Sequence, residues 1–119
     1  MKPGHTGMKR LVHATRFSLQ GLAACWRHES AFRQESVLVL IAVPVGLYLG
    51  PTGVERALLV ASVLLVLIVE LLNTGVEAVV DRLGEAAHPL SGRAKDLGSA
   101  AVLLSLALAV AVWALVLLA

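Results

Sequence analysis

From Leu97 to Ala119 the chain runs for 23 residues without a charge, long enough for one helix to cross the roughly 30 Å hydrocarbon core of a bilayer. The rest of the sequence agrees with that start. Of 119 residues, 58% are hydrophobic and 15% charged, and the mean hydropathy is +0.84, well above an ordinary soluble domain. The reading is an all-α membrane protein forming one domain over residues 1–119, with too little material for a soluble catalytic domain beside the spans.

Two further spans are expected. Val37 to Leu49 is uncharged but short, so a first span over about 34–49 needs residues 30–36 to continue the helix, and Pro44 should bend it. Gly50-Pro51-Thr52-Gly53 reads as a turn, after which a second span runs over about 54–84. Asp81 to Asp96 is a polar connection broken by Pro89 and Ser91-Gly92, and the third span covers about 92–118, with Trp113 as an interfacial anchor.

Upstream of these, residues 9–33 are amphipathic. Lys9, His13, Arg16, Gln20 and Arg27 fall within an arc of about 60° on a helical wheel, opposite Leu11, Ser18, Leu22, Cys25 and Trp26. Such a helix lies along a membrane surface. Residues 1–8 should be a frayed start and not a signal peptide, since no long apolar run precedes Val37. The lone Cys25 excludes an intrachain disulfide and reads as a buried, inert thiol. Six of the ten Lys and Arg residues precede residue 34, and Arg82, Arg93 and Lys95 follow the second span. By the excess of positive charge on cytoplasmic loops, the N-terminus is expected in the cytoplasm and the C-terminus on the periplasmic or outer side.

Chemistry concentrates in Glu70-Leu71-Leu72-Asn73-Thr74-Gly75-Val76-Glu77. On one helix Asn73, Glu77 and Asp81 lie about 60°, 20° and 20° from Glu70, which draws a polar stripe along an apolar rod. Ionised groups at membrane depth are costly unless paired, hydrated or bound to metal. The stripe therefore marks either a cation site or a structural seam that pairs with Arg or Lys of another helix. Glu29 projects onto the apolar side of the surface helix, as a third acid, or else it is a solvated residue where that helix ends. Glu70 and Glu77 are about 10 Å apart along the axis, too far to share one ion, so Glu77, joined by Glu29, would hold a divalent cation while Glu70 is left for proton transfer. Arg10, Arg93 and Lys95 are cations suited to phosphate. The usual phosphate-binding and hydrolase motifs are missing.

Glu70-Leu-Leu-Asn73-Thr-Gly-Val-Glu77-Ala-Val-Val-Asp81-Arg82, then Leu90-Ser-Gly-Arg93-Ala-Lys95-Asp96-Leu-Gly98-Ser99, closely resembles the prokaryotic diacylglycerol kinases, as does Ala31-Phe32-Arg33-Gln34-Glu35. The resemblance covers nearly the whole chain. It implies a homotrimeric bundle, each chain having a surface helix and three transmembrane helices, in the bacterial inner membrane, phosphorylating diacylglycerol to phosphatidic acid with ATP and Mg²⁺. By the same resemblance Glu70 matches the catalytic base, Glu29 and Glu77 the metal ligands, and Asn73 an amide beside the base, with Asp81 in support. Arg10, Phe17, Glu29, Glu77, Lys95 and Asp96 match nucleotide-site positions. Arg10, Arg33, Gln34, Glu70 and Ser99 match positions near the lipid substrate. Phe17 stands where a tyrosine is expected, and Ala86-Ala87-His88-Pro89 replaces a more acidic and aromatic connection; both bear on how adenine and ribose are held.

Close relatives within the family phosphorylate undecaprenol, so an undecaprenol kinase is the alternative lipid specificity. From other classes, a small proton-coupled transporter subunit or a purely structural helper would also carry intramembrane acids. A transporter does not need Lys95-Asp96 and Glu29 to converge at one membrane level.

Overall fold

A computed structural model describes residues 6–84 and 88–119. Most of the frayed start expected at residues 1–8, and Ala86 and Ala87 of the polar connection, lie outside the described residues. Four helices follow in order: α1, Gly7–His28; α2, Ser30–Leu49; α3, Gly53–Leu83; and α4, Pro89–Leu118. The last three are long and apolar enough to cross a membrane, so this is an all-helical membrane protein.

Local chemistry explains each boundary. Thr52 caps α3: its hydroxyl accepts the Glu55 N–H at 3.4 Å and donates to Glu55 Oε1 at 3.3 Å. Gly84, with φ +85°, ends α3 in a backbone conformation that side chains disfavour. α4 begins at Pro89, earlier than the expected 92, because His88 Nδ1 accepts the Leu90 N–H at 3.0 Å and proline suits the first helical position. The surface helix was expected to reach about 33, yet the chain breaks at Glu29, whose φ of −120° and ψ of 108° separate α1 from α2. Pro44 sits inside α2, which continues through it.

α3 is the central element, packed on α2 on one side and α4 on the other, with α1 lying more lightly against α2 and α3. Leu59, Val66 and Val80 of α3, Phe32 and Val39 of α2, and Cys25 of α1 are buried. Trp113, expected as an interfacial anchor, also makes contacts within the chain. Its Nε1–H donates to the Leu59 carbonyl at 3.1 Å, and the ring lies over Gly46, where a Cβ would press on Leu59 and touch the indole. Small residues that let helices approach, and polar atoms bonded across them, are the usual means of packing in lipid. The chain is a slab of 48 × 41 × 22 Å.

Candidate functional site

The polar stripe of α3 faces two different neighbours. Glu70 is 5% exposed, in the middle of α3. One turn on, Asn73 Nδ2 donates to Glu77 Oε1 at 3.3 Å. Its other amide atom, Oδ1, is buried without a hydrogen-bond partner. Gly98 of α4 explains how that is tolerated: a Cβ there would overlap Oδ1, so the glycine's own Cα–H is aimed at the oxygen, a weak interhelical contact. At the end of the stripe, Lys95 Nζ pairs with Asp81 Oδ1 at 3.0 Å, joining α4 to α3.

Toward α1, the same stripe borders a groove of about 780 Å³, lined by Cys25, His28 and Glu29 from one wall and Thr74, Glu77 and Asp81 from the other. The half-buried Glu29 both ends α1 and lines this groove. Glu77 and Glu29 are near enough to Glu70 for their charges to act on it. Cys25 Sγ donates to Thr74 Oγ1 at 3.6 Å, and burial pushes the thiol above its ordinary value against the opposing effect of that bond. It is a protonated, inert strut between α1 and α3.

Among the described residues no three His, Cys, Asp or Glu side chains gather closely enough to cage a metal ion. With Asp81 paired to Lys95, Glu29 and Glu77 remain on the groove, and two carboxylates fit Mg²⁺, which keeps waters and phosphate oxygens beside one or two protein carboxylates. The Asn73 bond to Glu77 orients one of the pair from behind.

Other expected site residues are not gathered within one chain. Arg10, Gln34, Asp96 and Ser99 are exposed. Phe17 is stacked on His13 with ring centroids 6.3 Å apart. Arg33 is turned toward the end of α1, donating to the carbonyls of Trp26 and Arg27. Glu35 received no role from the sequence, yet its Oε2 is buried without a partner and it lies within electrostatic range of Glu70. The available signal was an acid one turn inside the first span.

A family model described as prokaryotic diacylglycerol kinase matches residues 16–117. The chain is 52% identical over 112 residues to the diacylglycerol kinase of Escherichia coli (strain K12), covering 94% of this chain and 92% of that protein. It is 49% identical over 115 residues to the diacylglycerol kinase of Pseudomonas aeruginosa, with 97% and 94% covered, and 49% identical over 108 residues to that of Haemophilus influenzae, with 91% and 92% covered.

Proposed function

The chain belongs to the prokaryotic diacylglycerol kinase family, and from that premise we propose that it transfers the γ-phosphoryl group of ATP to diacylglycerol, yielding phosphatidic acid and ADP. The observation that carries this reading is the groove that holds Glu29 and Glu77 together, with Glu70 inside their electrostatic reach.

Glu70 accepts the proton of the lipid's primary hydroxyl as that oxygen attacks the γ-phosphorus and the bond to the ADP oxygen breaks. Glu29 and Glu77 hold Mg²⁺, with Asn73 fixing the Glu77 rotamer. When bound, the ion supplies charge neutralisation on the phosphates, which with positioning is most of what phosphoryl transfer requires. Lys95 and Arg10 add positive charge on the nucleotide side, with Asp96 and Phe17 beside them. Gln34 and Ser99 serve the lipid side. Arg10, Gln34, Asp96 and Ser99 are exposed in the single chain, which favours a homotrimer whose sites are completed between subunits. The exposed apolar residues of α1, among them Leu11, Val12, Leu19 and Trp26, favour its lying in the cytoplasmic interface of the bacterial inner membrane. The N-terminus is then cytoplasmic and the C-terminus periplasmic.

Purified protein in detergent, given labelled ATP, Mg²⁺ and either diacylglycerol or undecaprenol, is expected to place label in phosphatidic acid. Label in the polyprenyl product alone would reassign the lipid to undecaprenol, and label in neither would overturn the kinase reading.

A further inference from the structure

Glu29 is the one non-helical residue between two long helices, and a single such residue leaves the angle between them to other contacts. The joint is bridged from α2. Arg33 Nη1 donates to the Trp26 carbonyl at 2.7 Å and to the Arg27 carbonyl at 3.2 Å, both in the last turn of α1, while the Arg33 backbone N–H donates to the Glu29 carbonyl at 3.2 Å. The last carbonyls of a helix lack intrahelical partners and carry the negative end of its dipole, so a cation with N–H donors satisfies both needs. Such charge-assisted bonds are about twice as strong as neutral ones.

Among the described residues no ion pair links Arg33 to Glu29. The guanidinium grips the backbone on one side of the joint, and Glu29 itself lines the groove that Glu77 also lines. We propose that Arg33 is a positioning residue: by clamping the C-terminus of α1 to the first turn of α2, it sets Glu29 across from Glu77, and it acts on the reaction through the metal site. This rests on Glu29 and Glu77 being the metal ligands. It differs from the place near the lipid substrate that the family resemblance implies for Arg33.

The test uses the full-length enzyme and the variants Arg33→Ala, Arg33→Lys, Glu29→Gln and the Arg33→Ala, Glu29→Gln pair. Arg33→Ala is expected to raise the apparent Mg²⁺ constant about tenfold while the diacylglycerol KM moves less than about twofold, the range for a lost outer-shell contact. Mn²⁺ binding followed by electron paramagnetic resonance without turnover should weaken in parallel. Arg33→Lys restores part of the loss, and in the Glu29→Gln background Arg33→Ala adds nothing, because both changes act on one element. A rise confined to the diacylglycerol KM, or an additive double variant, overturns the proposal. Glu29→Gln alone reports on the metal reading: an unmoved Mg²⁺ constant would sink that reading. Amide exchange over residues 25–29 reports on the clamp itself, which accelerated exchange in Arg33→Ala supports and unchanged exchange overturns.

Discussion

Glu70→Gln is expected to lower kcat about a thousandfold while the protein still folds and assembles. The amide preserves size and most packing in a position that is 5% exposed, but it cannot accept the hydroxyl proton. Loss of a positioned general base costs on the order of a hundred- to ten-thousandfold. Because Glu29 and Glu77 are untouched, the apparent Mg²⁺ constant should move little, which separates loss of the base from loss of the metal site. Turnover and Mg²⁺ titration on the same preparation check both; wild-type kcat in this variant would remove Glu70 from the proton transfer.

The second large effect comes from adding one methyl group. Gly98→Ala places a Cβ where Asn73 Oδ1 now lies, so the Asn73 amide has to move, and with it the 3.3 Å bond that orients Glu77. Alanine is the better helix former, by about 1 kcal/mol, so α4 itself is not weakened. The expected outcome is a ten- to hundredfold fall in kcat/KM, the range seen when outer-shell support of a metal ligand is lost, with helix content by circular dichroism unchanged. Asn73→Ala should fall by a similar factor, and the double variant no further. Full activity in Gly98→Ala would mean that the Asn73–Glu77 bond does not matter to the reaction.

Much of this architecture is legible in the sequence because lipid imposes simple rules. Long uncharged runs mark the three spans, and the helical period puts Glu70, Asn73, Glu77 and Asp81 on one strip of α3. What the period cannot say is which neighbour that strip meets. It divides, with Glu77 and Asp81 lining the groove to α1 and Asn73 abutting Gly98 of α4. The break at Glu29 was one of two open readings for a related reason: no glycine or proline marks it, and the partner of the terminal carbonyls is a side chain from the next helix. Pro89 looked like a stop and is a start, since the same missing N–H that interrupts a helix is harmless in its first turn. Trp113 looked like an anchor by its place near an apparent membrane edge; its N–H bonds a carbonyl at the start of α3, a partner that the hydropathy pattern does not specify. Glu35 was passed over as part of a motif, although its carboxyl oxygen is buried without a partner near the start of the first span.

A body only 22 Å through has almost no inside. Few residues in the most apolar stretch of α4 are fully buried by their own chain, so the face of α4 turned away from α3 reports on a stranger. Where that stranger is fluid lipid, any oily residue will serve; where it is another copy with a fixed contour, only a matching shape will. Exhaustive substitution of the exposed residues between Val102 and Leu118, scored by assembled yield, should therefore split the face turned away from α3 into a permissive strip and an exacting one, and uniform permissiveness there would mean that this face meets only lipid.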